Sequence, residues 1–247
     1  MKRIKSLQNT LIKVVKTLHS AKGRTENRLF IAEGVRTIET ICQTGLQPRD
    51  LFCTENMFDL DDHVIKPQDT WVVDDLIMNK ISLSSCPSGL LAVFEIPRPL
   101  KELTAGLVLA QIADPGNMGT LIRSCAAMGY QTVVTIEGCD PWSPKVVQAS
   151  AGTIAQVKIF ELSWNELLEY KKKLKLCALV VAGGQAPNQI LEDSLLVVGN
   201  EAHGLPQAWA ESCDSKITLP MPGQTESLNA AVAGSIALYL GKMGLYR

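Results

Sequence analysis

From Leu107 onward the chain carries short, largely apolar runs of strand length that do not alternate with polar residues: Leu107–Ile112, Thr132–Ile136, Val157–Phe160, Cys177–Ala182 and Leu195–Gly199. A strand that is apolar on both faces has to be covered on both. Between the runs lie helix-length segments, one through Leu121 and Met128, others at Pro144–Ala149, Trp164–Lys173 and around Pro206–Glu211. This alternation dictates an α/β fold, a parallel sheet with helices on both faces. A last strand, Ile217–Leu219, and a long helix from Ser227 to about Tyr239 close the chain.

Upstream the signals are shorter. Leu7, Leu11, Val14, Val15 and Leu18 recur with the period of a helix lying on a core. Gly23 breaks that helix within Lys22–Arg28, a segment that gathers Lys22, Arg24 and Arg28. Strand signals follow at Leu29–Ala32 and Asp50–Thr54 around a helix at Gly34–Gly45, and the alternation continues to Leu91–Phe94. Ile96-Pro97-Arg98-Pro99 then enforces extended backbone. The expected organisation is a small α/β domain over 1–96, a linker over 97–104 and a larger α/β domain over 105–247.

Of the 247 residues, 24 are Lys or Arg and 25 Asp or Glu, a net charge of −1 that as an average argues against a nucleic-acid partner. The distribution along the chain argues the other way. Residues 1–36 hold nine basic side chains against Glu26 and Glu33, a charge of +7, which leaves −8 for the rest. Such asymmetry marks an end of the chain suited to a polyanion, although a solvated helix face would look the same. The seven cysteines are scattered without a C-x-x-C pair and the three histidines lie far apart, so neither a metal site nor a disulfide framework is expected and a reducing cytoplasm fits. No apolar run is long enough to span a bilayer. The basic amphipathic start also has the look of an organellar transit segment, but it is Lys-rich and carries only Ser6 and Ser20.

Neither a G-x-G-x-x-G after a strand nor a Walker A loop is present. Three other clusters fall at carboxyl ends of expected strands, where open α/β sheets bind ligands. In Asp114-Pro115-Gly116-Asn117-Met118-Gly119-Thr120-Leu121-Ile122-Arg123, Asn117 can cap a helix, and Gly119, one turn before Arg123, leaves room for a guanidinium to clamp a phosphate or carboxylate. An ordinary capped helix with a surface arginine would read the same way. Gly199-Asn200-Glu201-Ala202-His203-Gly204-Leu205 lets backbone approach a ligand and places Glu201 as a hydrogen-bond acceptor, with His203 a peripheral contact. In Leu219-Pro220-Met221-Pro222-Gly223-Gln224-Thr225-Glu226-Ser227-Leu228-Asn229, an irregular loop enters a helix rich in small residues, and Ser227 and Asn229 stand where helix-start N–H groups need acceptors.

In this order and spacing the three clusters resemble the signature motifs of the SpoU/TrmH family of SPOUT methyltransferases, over about Leu107 to Tyr239. Ile4-Lys5-Ser6-Leu7-Gln8-Asn9 and Arg28-Leu29-Phe30-Ile31-Ala32-Glu33-Gly34 are similar to the substrate-binding domain that precedes this domain in rRNA ribose methyltransferases. The resemblance implies methylation of an RNA ribose 2′-hydroxyl with S-adenosyl-L-methionine, a trefoil knot in the catalytic domain and a homodimer. It also implies that backbone at Gly199, Leu219 and Leu228 holds the cofactor adenosine and that Arg123, Asn117, Glu201, Ser227 and Asn229 form the catalytic set. Lys22, Arg24 and Arg28 are the expected RNA contacts. Arginine is normally fully protonated, with a pKa above ~12, so Arg123 acts either as a base assisted by an RNA phosphate or as a charge clamp. Val181-Ala182-Gly183-Gly184 departs from the pattern in offering little hydroxyl chemistry near the cofactor. The two-domain layout favours large-subunit rRNA as substrate. A tRNA ribose methyltransferase and a catalytically silent knotted RNA-binding protein are the alternatives.

Overall fold

The structure, a computed structural model, describes residues 2–57, 64–98, 102–186, 193–223 and 227–243. The linker expected at 97–104 lies partly outside these residues, as do Gln224, Thr225 and Glu226 of the third cluster. Two compact units emerge, Met1–Arg98 with Trp142–Ala155, and Pro99–Pro141 with Gln156–Arg247.

The first unit runs β1 (Lys2–Arg3), α1 (Thr10–Thr17), α2 (Ala21–Asn27), β2 (Leu29–Glu33), α3 (Val35–Cys42), β3 (Asp50–Cys53), β4 (Asp69–Val72), α4 (Asp75–Ile81) and β5 (Leu90–Glu95). Its sheet has the order β1-β4-β3-β5-β2; β1, β4 and β3 are parallel and β5 is antiparallel to both neighbours. Asn9 caps α1 by accepting from the Leu11 N–H, and the helix presses Ile12 and Val15 into a core shared with Phe52, Ile77, Met78, Ile81 and Leu91. Gly23, expected as a breaker, lies inside α2. A Cβ there would stand 2.0 Å from the Thr17 carbonyl oxygen, so the glycine permits two helices to meet backbone to backbone. The actual break is at Leu18–Ser20, where Ser20 caps α2.

The second unit runs β6 (Gly106–Ala110), α5 (Pro115–Ala127) and β7 (Thr132–Ile136). Between β7 and β8 the segment Trp142–Ala155, with α6 (Pro144–Ala149), groups with the first unit instead, where the Trp142 ring lies 4.9 Å from that of Phe30. The second unit resumes with β8 (Lys158–Glu161), α7 (Trp164–Glu169), β9 (Lys175–Leu179), β10 (Ser194–Val198), α8 (Gln207–Ser212), β11 (Ser215–Ile217) and α9 (Ala230–Met243). Every pairing is parallel, in the order β11-β9-β10-β6-β7-β8. All residues of β6, β7 and β10 are buried, as continuous apolar runs require. The helix expected over Trp164–Lys173 ends early, finishing as a single 3-10 turn at Tyr170–Lys172.

The order also locates a crevice. From β6 the chain winds through α5 to β7 on one side, whereas β10 lies on the other. Loops leaving the carboxyl ends of β6 and β10 therefore diverge, the switch point at which open α/β sheets take ligands. The chain leaves β11 at the sheet edge and returns as α9, which packs on α5 and β10. The Ser124 and Ser235 hydroxyls meet there at 2.7 Å.

Candidate active site

Pro115 opens α5 and Asp114 is its N-cap, accepting from the Asn117 N–H at 2.8 Å. Asn117 was the expected cap. Because Asp114 occupies that place, the Asn117 side chain turns to the neighbouring loop, where its Nδ2 donates to Glu201 Oε1 at 3.0 Å. The Glu201 carboxylate also accepts from the N–H groups of Ala113 and Asp114 at 3.2 and 3.1 Å. On its other side Asn117 Oδ1 accepts from Asn229 Nδ2 at 3.1 Å. Asn229 Oδ1 in turn caps α9, accepting from Ala231 and Val232 N–H. The helix expected from Ser227 begins only at Ala230 because Asn229 makes the cap. One chain of hydrogen bonds, Glu201–Asn117–Asn229, thus ties the three sequence clusters together.

Burial alone would raise the Glu201 carboxyl, but the hydrogen bonds it accepts from Asn117, its own N–H, Asp114 and Ala113 outweigh that and hold it below the ordinary carboxylate range. Close by, burial first and then the charges of Glu201, Asp114 and Asp140 push the Cys139 thiol up to about 11, which leaves no thiolate nucleophile there at neutral pH.

Beside this network a pocket of about 270 Å³ opens between the ends of β9, β10 and the start of α9. Gly199, Leu219 and Leu228 all line it, with Glu201, His203 and Ser227. A Cβ on Gly199 would stand 2.3 Å from the Leu205 nitrogen and 2.5 Å from the Gly204 carbonyl carbon. The wall here is backbone, pinned by the paired N–H to carbonyl bonds between Asn200 and Gly204. Val181, 61% exposed, and Val180 give it an apolar side, in keeping with the poverty of hydroxyls in that segment. Backbone walls and apolar side chains suit a flat heteroaromatic ring held by main-chain groups.

The model of the SpoU rRNA Methylase family matches residues 105–239, and that of the MRM3-like substrate binding domain matches residues 9–92. The chain belongs to the SpoU rRNA methylase family. Among its relatives, the 23S rRNA (guanosine(2553)-2′-O)-methyltransferase RlmP of Bacillus subtilis is 30% identical over 97% of this chain and 98% of its own. The 23S rRNA (uridine(2479)-2′-O)-methyltransferase of Streptomyces viridochromogenes is 27% identical over 90% of this chain and 85% of its own. The crystal structure of an AdoMet-bound rRNA methyltransferase from Sinorhizobium meliloti superposes with a TM-score of 0.84 at 25% identity, covering 99% of this chain and 98% of that one.

In this SpoU methylase the expected residues do not all converge. Arg123 lies on the exposed face of α5 and makes no hydrogen bond or ion pair among the described residues. Gly119 is buried within α5. Arg24 is only 4% exposed and donates to the Leu18 carbonyl at 2.6 Å; the cation expected on an RNA surface is instead inside the first unit. Lys22 and Arg28 are exposed. Sequence reasoning gave Asn200 no role, yet its Nδ2 donates to the Gln111 carbonyl at 2.8 Å and its Oδ1 accepts from Ala202 and His203 N–H. It staples the ends of β6 and β10, and an Asn beginning a loop after a strand is the available signal. Its acceptor, Gln111, sits at φ +59, a left-handed backbone that nothing in the sequence announces. Among the described residues no cluster of His, Cys, Asp or Glu could hold a metal ion, and no helix is long and apolar enough to cross a membrane.

Proposed function

We propose that this SpoU methylase transfers a methyl group from S-adenosyl-L-methionine to a ribose 2′-hydroxyl of large-subunit rRNA. The carrying observation is that Glu201, Asn117 and Asn229 form one network beside a pocket lined by Gly199, Leu219, Leu228 and Ser227. When bound, the cofactor supplies an electrophilic methyl on a sulfonium. Backbone at Gly199, Leu219 and Leu228, which line the pocket, would hold its adenosine. Glu201 keeps the two loops in register through its hydrogen bonds, and Asn229 places the third loop through its bond to Asn117 and its cap on α9, with Ser227 exposed at the pocket. Arg123, exposed and with no carboxylate partner among the described residues, is available to grip an RNA phosphate bidentately and so position the attacking hydroxyl.

The catalytic part is read as residues 105–247 with a trefoil knot, preceded by a substrate domain over 1–96, and the working form as a homodimer in the cytoplasm. Support for the dimer comes from α9, whose Val232, Ile236, Tyr239, Leu240 and Met243 are 38–51% exposed at helical spacing, an apolar face that a second copy would cover. Because α9 packs along α5, that copy would stand next to the helix that carries Arg123.

The test is transfer of labelled methyl from S-adenosyl-L-methionine to unmodified rRNA and tRNA, together with a map of ribose methylation in cells with and without the protein. Loss at one large-subunit rRNA position is the expected result. Loss only in tRNA would overturn the substrate, and no transfer to any RNA would favour a silent RNA-binding protein.

A further inference from the structure

With Arg24 buried, the structure sorts the remaining amino-terminal cations by whether an acid already answers them. Lys2 lies 2.6 Å from Asp69, and Arg3 is paired with Glu55. Lys13 and Lys16 differ. Both are exposed on α1, Lys13 away from the buried Ile12 and Val15 and Lys16 one turn after Ile12 at the margin of that face, and neither has an ion-pair partner among the described residues. Beside α1 runs α4, whose Ile77, Met78 and Ile81 enter the same core. His19 Nε2 lies 2.8 Å from the Ile81 carbonyl oxygen, which fixes the carboxyl-terminal ends of the two helices side by side. Lys80, one residue before Ile81, is exposed at that end and is equally without an ion-pair partner among the described residues. The acids of α4, Asp74 and Asp75, are at its opposite end.

We propose that the exposed edge where α1 and α4 run side by side, carrying Lys13, Lys16 and Lys80, is the surface on which the first unit tracks the RNA phosphate backbone. The inference rests on the reading of the protein as an RNA methylase and deepens it by naming the contacts. Charge decides the occupant: three unpaired cations on one edge complement a polyphosphate chain, whereas bases offer them no matching charge. Lys16 and Lys80 also lie in the last turn of their helices, where a cation is favoured by the helix dipole. That effect stabilises the fold but predicts no change in RNA affinity, so the two roles separate by experiment.

The full-length protein and its Lys13→Gln/Lys16→Gln/Lys80→Gln variant are titrated with unmethylated, transcribed large-subunit rRNA across KCl concentrations. Each phosphate contact contributes about 0.7–0.9 to the slope of log affinity against log salt. The slope of the variant should fall by about 2–3, with affinity at low salt roughly tenfold weaker, while cofactor affinity stays at the wild-type value and Tm falls only by the small amount that two lost helix-dipole contacts imply. Lys2→Gln, whose charge Asp69 already answers, should leave the slope alone. The single variants Lys13→Gln and Lys80→Gln give the same reading should the triple variant lose stability. A wild-type slope in the folded variant, with wild-type protein methylating RNA, overturns this inference and leaves the functional reading standing. If the wild type methylates no RNA, that reading itself fails. Weaker binding confined to ribosomal particles, with an unchanged slope on naked RNA, would assign the edge to a ribosomal protein and would also overturn it.

Discussion

Asn117 and Glu201 are 84 residues apart in sequence, yet Asn117 Nδ2 donates to Glu201 Oε1 at 3.0 Å and joins the loops that leave two adjacent strands. Glu201→Gln puts an NH₂ group against N–H donors on one side of the carboxyl. The expected outcome is a loss of about 1–3 kcal/mol at neutral pH and a fall in methyl transfer on the order of a hundredfold as the loops shift. The folded carboxyl titrates below its ordinary value of 4.5, so its stabilisation is complete above that pH and disappears as pH falls through the folded value. Glu201→Gln should therefore flatten the stability curve of this protein below about pH 4.5, measured by urea unfolding at a series of pH values.

Arg123→Ala removes an exposed side chain with no partner among the described residues. Unfolding free energy should change by no more than about 0.5 kcal/mol, and cofactor affinity by calorimetry should hold. Methyl transfer should drop by about two orders of magnitude or more if Arg123 positions the RNA. Near-wild-type turnover by the folded variant would remove Arg123 from the catalytic set.

Gly199→Ala drives a methyl group into the Leu205 nitrogen and the Gly204 carbonyl, both main chain and neither able to rotate away. We expect a cost of about 1–3 kcal/mol, seen as a lower Tm, and weakened cofactor binding because the pocket wall itself has to move.

Arg24→Ala should act on stability and not on RNA affinity. The buried guanidinium donates to the Leu18 carbonyl, and its loss should cost about 1–3 kcal/mol by denaturant titration. The salt slope of RNA binding should stay where it is.

Much of the site was legible because its residue types are local necessities. Loops that leave parallel strands need Gly, Asn, Asp and Pro to turn, and Asp114, Asn117, Gly199 and Asn229 occur where those turns fall. Their order was less legible. Asp114 and Asn117 are equally good helix caps in isolation, and only the position of Glu201 on the neighbouring strand end decides which of them is left to bond it. Arg24 was misplaced for a related reason: one cation in a basic segment looks like the next until the fold around it is known, and the Leu18 carbonyl that accepts its hydrogen bond is unmatched only because α1 ends there.

The layered α/β architecture of the second unit followed from the chain alone, since uninterrupted apolar runs such as those of β6, β7 and β10 have no stable arrangement except between two layers of helix. Composition could not supply the partner of each polar group. Buried and half-buried donors must find acceptors, and which acceptor stands within about 3 Å depends on strand order. The placement of β10 beside β6 and the return of α9 onto α5 brought together three clusters that the sequence holds apart. The same packing sorted the cations of the first unit into those inside, those paired and those left facing water.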